Sequence, residues 1–196
     1  MSLVTEKPIA AQPLFNVPNQ LTVLRLLLSI VLFVFIAYEY YLTSLALFVI
    51  AASTDWLDGY WARKYGQVTN LGRILDPFVD KIIICGAFIF LVPIANSGVV
   101  AWMAVVIVGR ELLVTALRSY LEGEGADFSA NMAGKLKMVV QCLAVVLSLY
   151  ALSHTGERPA WLQWGLLLSV WGAILLTLYS GLAYIQRAVM LLRASR

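Results

Sequence analysis

Six long apolar runs, separated by short polar segments, dominate the pattern of hydrophobic and polar positions along the chain. Each run approaches the ~20 apolar residues that a helix needs to cross a bilayer. The pattern therefore predicts six membrane-spanning helices. We expect them at about residues 21–38, 44–64, 72–92, 99–121, 134–152 and 161–190.

The composition supports this interpretation. Hydrophobic residues make up 61% of the 196 residues and charged residues 13%, whereas a soluble domain is about 45–50% apolar and about 25% charged. We therefore expect an all-α integral membrane protein with one transmembrane domain, residues 19–196. Residues 1–18 carry three prolines, which exclude one continuous helix, so a short interfacial segment is expected there.

The basic residues are distributed unevenly between the two ends of the predicted helices. If the N-terminus is cytoplasmic, every lysine and arginine except Arg158 falls on or toward the cytoplasmic side. The positive-inside rule then places both termini in the cytoplasm and predicts a multi-pass protein of the inner membrane. The small net charge of +3 conceals this asymmetry. The basic residues indicate a membrane face and an anionic substrate, and no nucleic-acid partner is expected.

Four aspartates lie close together in the second and third predicted helices, in a chain with only 11 acidic residues. They are Asp55, Asp58, Asp76 and Asp80. Residues three or four apart share a helix face, so packing the two helices would bring the carboxylates together. A charge at membrane depth costs at least ~2.5–3.5 kcal/mol, and like charges need a counter-cation. The pattern predicts an all-oxygen site for Mg²⁺ or Mn²⁺.

The residues between these aspartates suit a diphosphate. Small residues lie beside the aspartates on the same helix faces: Gly59, Ala62 and Gly72. They leave space there, so that a ligand can approach the backbone. Arg63 adds a planar donor group suited to phosphate. The alternative interpretation is that the carboxylates only form structural ion pairs with the neighbouring basic residues Arg63, Arg73 and Lys81.

A second basic cluster lies on the fourth and fifth predicted helices and consists of Arg110, Arg118, Lys135 and Lys137. Glu111 lies seven residues before Arg118 and can pair with it, which would hold Arg118 in place. An arginine buried near a metal site that already binds one phosphate indicates a pocket for a second anion. Lys137 could equally extend toward lipid headgroups.

The aspartate stretch resembles a known signature. The pattern D-x2-D-G-x2-A-R-x8-G-x3-D-x3-D of the CDP-alcohol phosphotransferase family is matched at all its fixed positions, which are Asp55, Asp58, Gly59, Ala62, Arg63, Gly72, Asp76 and Asp80. The opening segment at residues 16–25, the segment at 109–118 and the segment at 134–141 are similar to the phosphatidylglycerophosphate synthase branch of that family.

The resemblance implies transfer of a phosphatidyl group from CDP-diacylglycerol to sn-glycerol 3-phosphate, giving phosphatidylglycerophosphate and CMP. It implies that Asp55, Asp58 and Asp76 hold two metal ions, with Asp80 as the general base and a possible further ligand. Gly59, Arg63 and Gly72 would border the CDP group. Arg110, Arg118 and Lys135 would bind the acceptor phosphate. Membrane lipid is an expected partner, and the family suggests a homodimer.

Other interpretations of the same residues stay open. The acceptor could be inositol phosphate, serine or another alcohol, although the basic cluster favours a phosphorylated one and so disfavours serine. Membrane prenyl transfer also uses two aspartate motifs and Mg²⁺, but the spacing of Gly59, Ala62, Arg63 and Gly72 argues against it. A transporter could also use buried carboxylates. However, Glu39 at the first turn is the only acidic residue on the outer halves of the predicted spans, so no second half of a pathway is evident.

Overall fold

A computed structural model of the protein describes residues 17–65, 70–123 and 132–194. Within these ranges the side chains of residues 55–65, 70–74 and 76, and of a few residues near helix ends, lie outside the description. The described residues form six α-helices and no strand, so the expected all-α class is confirmed for them. The helices are α1 (Val17–Ala37), α2 (Tyr41–Tyr65), α3 (Asn70–Leu91), α4 (Ala101–Gly123), α5 (Met132–Ser153) and α6 (Ala160–Ala194).

The helix surfaces have the polarity expected in a lipid environment. On α1 the buried face includes polar and charged side chains, and the intervening exposed positions are mostly valine, leucine and isoleucine. The buried positions recur every three or four residues: Thr22, Arg25, Ser29, Leu32 and Ile36. A helix that hides polar groups and exposes apolar ones is suited to lipid rather than water.

Three helical stretches in the described part of the chain are long and apolar enough to cross a membrane. They are Gln20–Ala37, Gly134–Ser153 and Ala160–Leu191, and Tyr41–Thr54 is a shorter apolar helical stretch. The multi-pass membrane character is therefore supported. At ~1.5 Å per residue the 35 residues of α6 extend beyond a hydrocarbon core of ~30 Å, so this helix must tilt or project from the bilayer.

Short connections join α1 to α2, α3 to α4 and α5 to α6 at one end of the bundle, which we call the turn end. The α1–α2 turn is tighter than the sequence indicated, because Glu39 adopts a φ of 63° and α2 already begins at Tyr41. The Tyr40 amide donates to the Phe35 carbonyl at 3.0 Å, which closes the end of α1. The opposite end, at the start of α1, is the cavity end.

The core contains apolar side chains from all six helices, among them Leu32, Phe48, Phe88, Ile107 and Ile174. Phe33 of α1 stacks on Phe90 of α3 with ring centroids 5.1 Å apart. Gly86 allows this close approach, since a Cβ there would lie 2.1 Å from the Phe33 ring. Pro77 lies inside α3, which continues through it. The predicted segment 1–18 lies almost wholly outside the described residues.

Candidate active site

A cavity of about 260 Å³ opens at the cavity end of the bundle, between α3, α4, α5 and α6. Three predicted acceptor-binding residues, Arg110, Arg118 and Lys135, contribute to its lining. Asp80, the predicted general base, lines the same cavity from α3. The structure thus brings together residues that are far apart in sequence and that were assigned to one reaction.

Positive charge predominates in this cavity. Its lining has two carboxylates, Asp80 and Glu111, and five basic side chains, which are Lys81, Arg110, Arg118, Lys135 and Lys137. The excess of cations at a partly buried site favours a multiply charged anion, because opposite charges attract more strongly where water is scarce. A phosphate group matches both the charge and the donor geometry of arginine.

Glu111 has different partners from the one expected from helix periodicity. Its Oε1 accepts hydrogen bonds from Lys137 of α5 and, at 3.2 Å, from Nη1 of the neighbouring Arg110. The predicted pair between Glu111 and Arg118 is therefore wrong. Arg118 lies on the same side of α4 as Glu111, but the side chain that contacts the carboxylate is Lys137 of α5. Lys137 is buried, so its alternative role of extending to lipid headgroups is also not what the structure shows.

Arg118 contacts α6 instead. Its Nη2 donates to the hydroxyl of Tyr184 at 3.4 Å, and the Arg110 guanidinium lies over the ring of the same tyrosine, 5.4 Å from its centroid. Nε of Arg110 and Nε of Arg118 are both buried, and neither has a hydrogen-bond partner among the described residues. Because a buried donor without a partner is unfavourable, an anion in the cavity would satisfy groups that the protein leaves open.

Asp80 is held from its other side by α1. Nη1 of Arg25 donates to Oδ1 of Asp80 at 2.9 Å, and the arginine side chain is 1% exposed while the aspartate side chain is 24% exposed. Asp80 also lines a smaller apolar cavity of about 60 Å³, which Arg25, Phe48 and Ala51 border. The carboxylate therefore lies between the larger cavity, with its basic side chains, and the smaller one, and Arg25 pairs with it.

The other predicted metal ligands lie on the expected helices. Asp55 and Asp58 belong to α2 and Asp76 to α3, but their side chains are outside the description, so the proposed cluster stays a prediction. Among the side chains that are described, no group of three His, Cys, Asp or Glu residues forms. The donor set fits Mg²⁺ or Mn²⁺, because it consists of carboxylate oxygens and because Asp80 is partly exposed toward the cavity.

The residues predicted to border the CDP group also lie on α2 and α3. Gly59 and Arg63 lie in α2 and Gly72 lies in α3. Their side chains or Cβ positions are likewise not described, so their role also stays a prediction. Described residues of both helices line the smaller cavity, Ala51 and Ala52 from α2 and Ile83 and Ile84 from α3.

Several site residues were not in the predicted set. Arg25 entered the prediction only through its positive charge and as the last residue of the segment at 16–25. Lys81 entered it only as a basic residue and an ion-pair partner, and Tyr184 was missed altogether. A buried arginine in an apolar span is a signal that could have identified Arg25, since such residues are rarely bystanders. For Tyr184 no comparable signal exists, because tyrosines are common in membrane helices near the interface.

Comparison with known proteins agrees with these features. Residues 15–181 match the CDP-alcohol phosphatidyltransferase family. A protein of Bacillus subtilis strain 168, named CDP-diacylglycerol–glycerol-3-phosphate 3-phosphatidyltransferase, is 36% identical over 190 residues, covering 89% of this chain and 95% of its own length. Proteins of the same name from Haemophilus influenzae and Pseudomonas fluorescens are 32% and 36% identical, covering 89% and 88% of this chain and 94% and 90% of their own lengths. The chain belongs to the CDP-alcohol phosphatidyltransferase family.

Proposed function

We propose that this protein transfers a phosphatidyl group from CDP-diacylglycerol to sn-glycerol 3-phosphate, forming phosphatidylglycerophosphate and CMP in phospholipid biosynthesis. The observation that carries the proposal is the placement of Asp80 in one cavity with Arg110, Arg118 and Lys135. A phosphorylated acceptor bound by the basic residues would present its hydroxyl group to that carboxylate. The names of the relatives support the same pair of substrates.

The acceptor phosphate is held by Arg118, Lys135 and Arg110 in this proposal. Arg118 and Arg110 each keep a buried Nε donor without a partner among the described residues, and Lys135 lies at the rim of the cavity. Lys81 adds a further cation to the lining. Binding by several fixed donors orients the acceptor, which lowers the entropic barrier to the reaction.

Asp80 is the general base. It takes the proton of the acceptor hydroxyl as that oxygen forms a bond to the phosphatidyl phosphorus, and the bond from this phosphorus to the bridging oxygen of the diphosphate breaks, releasing CMP. Arg25 fixes the orientation of the carboxylate through the 2.9 Å contact. Gly59, Arg63 and Gly72 border the CDP group, and Arg63 supplies donors to its phosphates.

Asp55, Asp58 and Asp76, with Asp80 at the edge, would hold two Mg²⁺ or Mn²⁺ ions. Bound there, the ions would neutralise negative charge on the diphosphate and on the departing CMP. Aspartate oxygens are suitable ligands for both metals. The donor's acyl chains stay in the bilayer, next to the apolar exposed faces of the helices.

The proposed arrangement in the membrane has all six helices crossing the inner membrane with both termini in the cytoplasm. The basic residues support it, because Arg110, Arg118 and Lys135 lie at the cavity end and Arg158 lies at the turn end. The cavity then opens to the cytoplasm, where glycerol 3-phosphate is available. Surrounding lipid is a partner, and a homodimer is the assembly expected from the family.

Release of CMP from CDP-diacylglycerol by the purified protein in detergent with Mg²⁺ tests the proposal. The acceptors to compare are glycerol 3-phosphate, inositol phosphate, serine and glycerol. We expect turnover with glycerol 3-phosphate and a large loss with glycerol, because glycerol has no phosphate to fill the basic cavity.

Preference for inositol phosphate would keep the chemistry but change the acceptor. Absence of CMP release with every acceptor, in protein that binds the donor and remains folded, would overturn the proposal and favour a transport or prenyl-transfer function.

A further inference from the structure

Tyr184 is the residue that α6 contributes to the lining of the basic cavity. It is 5% exposed, lines the cavity and lies just beyond residue 181, where the match to the family ends. It belongs to none of the aspartate, arginine or lysine motifs from which the site was predicted. Its position therefore calls for an explanation from the contacts it makes.

Two arginines of α4 contact this one side chain in different ways. Arg118 uses one nitrogen, Nη2, to donate to the Tyr184 hydroxyl at 3.4 Å. Arg110 instead places Cζ of its guanidinium over the Tyr184 ring, 5.4 Å from the ring centroid. A position over an aromatic ring and a hydrogen bond to a hydroxyl both restrict an arginine without removing its charge.

The surrounding backbone is shaped to permit these contacts. One turn before Tyr184 on α6, a Cβ at Gly181 would lie 3.1 Å from Cγ of Arg110, so the absence of a side chain there lets the arginine stem pass. On α5, a Cβ at Gly134 would lie 3.7 Å from the Tyr184 hydroxyl, immediately before Lys135. The tyrosine is thus enclosed by the elements that carry the three predicted phosphate-binding residues.

Glu111 restrains the cavity differently. Its single negative charge is shared between Lys137 and Arg110, so one of the two positive charges stays uncompensated, whereas Tyr184 is uncharged and leaves the positive charge of Arg118 available. Both arginines retain a buried Nε donor that no described residue accepts. A neutral support that leaves donors open is what a site for an anion requires, because charge and direction are both preserved.

We propose that Tyr184 is a positioning residue that holds Arg118 and Arg110 in the orientation needed to bind the phosphate of the acceptor. Its hydroxyl acts on Arg118 and its ring acts on Arg110. This inference rests on the proposed function, since it assumes a phosphorylated acceptor in the cavity. It predicts that α6 affects acceptor binding without touching the donor site.

The first test is Tyr184→Phe, which removes the hydroxyl and keeps the ring. We expect the KM for glycerol 3-phosphate to rise about three- to tenfold, because a hydrogen bond to a charged group is lost. The KM for CDP-diacylglycerol and the melting temperature in detergent should stay close to those of the unmodified protein. Tyr179→Phe is the matched control, because Tyr179 lies on the same helix with an exposed side chain, and it should change neither KM.

A double-mutant comparison separates action through Arg118 from a general effect. Combined with Arg118→Ala, the Tyr184→Phe change should raise the acceptor KM no further than Arg118→Ala alone, since the hydroxyl then has no arginine to hold. Tyr184→Leu, which also removes the ring, should exceed Tyr184→Phe in its effect on the acceptor KM even in the Arg118→Ala background, because Arg110 loses its support.

The outcomes distinguish this inference from the function on which it rests. If the unmodified protein releases CMP with glycerol 3-phosphate but Tyr184→Phe leaves the acceptor KM unchanged, or raises both KM values equally, the positioning role is wrong and the proposed function stands. If the effects of Tyr184→Phe and Arg118→Ala multiply, Tyr184 does not act through Arg118. If the unmodified protein has no activity with glycerol 3-phosphate, the proposed function itself fails.

Discussion

The cavity end and the turn end of the bundle use their polar groups in different ways. At the turn end, polar contacts organise the connections: Glu39 and Asn96 adopt positive φ angles, and Arg158 donates to the Asn96 carbonyl at 2.9 Å. At the cavity end, side-chain contacts join helices that are distant in sequence. Arg25 and Asp80 are 55 residues apart, Glu111 and Lys137 are 26 apart, and Arg118 and Tyr184 are 66 apart.

This difference separates stability from function. Apolar packing near the turn end, such as the stack of Phe33 on Phe90, contributes to folding whatever the ligand is. The cavity end buries charged groups, which is unfavourable in itself, and so it is expected to gain from an anionic ligand. Substitutions at the two ends should therefore differ in kind. Those at the turn end should change only the melting temperature, whereas those at the cavity end should change the kinetic constants and, where a buried ion pair is broken, the melting temperature as well.

The largest contrast is expected for Asp80→Asn. Turnover should fall by about 10²–10⁴-fold, because the general base is lost, while binding of CDP-diacylglycerol is retained. The asparagine carbonyl can still accept the hydrogen bond from Arg25, so the fold should persist. Glu39→Gln, which alters a carboxylate at the turn end, is the control and should keep its activity.

Rates of CMP release and donor binding, measured on the same preparations, check this prediction. A folded Asp80→Asn protein that retained more than about a tenth of the activity would exclude Asp80 as the base, because such a residue usually contributes at least ~10²-fold.

Glu111→Gln should have the next largest effect, on stability. It leaves Lys137 buried without a negative partner, and breaking a buried ion pair from one side costs about 3 kcal/mol or more. We expect a lower melting temperature in detergent, and recovery of part of the loss in the double variant Glu111→Gln/Lys137→Met, where no buried charge of the pair remains. Strictly additive losses would show that the two residues are not coupled.

Gly86→Ala provides the comparison from the apolar part of the bundle. The added methyl group meets the Phe33 ring and should lower the melting temperature by overpacking, which costs about 1–3 kcal/mol. Because no charge is involved, Lys137→Met should not rescue it, and its KM for the acceptor should remain normal.

Arg118→Ala should affect binding of the acceptor. Loss of a charged donor to phosphate is expected to raise the KM for glycerol 3-phosphate about 10- to 100-fold and to leave the KM for CDP-diacylglycerol nearly unchanged. Arg158→Ala removes an arginine at the turn end and should change neither constant. Equal increases in both constants for Arg118→Ala would argue against a separate acceptor pocket.

The sequence was most informative about elements and least informative about contacts between them. The apolar runs predicted six helices at nearly the observed positions, because the need to satisfy backbone hydrogen bonds in lipid leaves helices as the main option. Helix bounds differ where local geometry decides: α2 begins at Tyr41 because Glu39 takes the left-handed conformation, which no hydropathy pattern indicates.

Within the site, periodicity along one helix identified a shared face but not what lies opposite that face. Glu111 and Arg118 do share a side of α4, yet the partner of Glu111 comes from α5, since relative rotation of two helices is set by packing. The basic residues that line the cavity were found because charges are rare in apolar spans. Tyr184 and Gly181 were not, because an aromatic residue and a glycine are ordinary in such a helix.

The smallest effect at the cavity end is expected for a substitution of Gly181, where α6 packs against the side chain of Arg110. A methyl group here would lie 3.1 Å from Cγ of Arg110, which is close enough to displace the flexible stem by a few tenths of an ångström. Gly181→Ala should therefore raise the acceptor KM by about two- to fivefold, since small displacements of a positioned group weaken binding. The melting temperature should stay level or rise slightly, because alanine favours a helix over glycine by about 1 kcal/mol.

Gly172→Ala is the matched control on the same helix, because a Cβ there would have an ordinary contact of 3.5 Å with Val140 of α5 and no contact with an arginine within 4 Å. The comparison is informative because both changes add one methyl group to α6. If Gly172→Ala and Gly181→Ala had the same effect on the acceptor KM, the close approach of Arg110 to α6 would have no part in binding. A rise confined to Gly181→Ala, without loss of stability, would show that α6 holds the cavity in shape through the arginine.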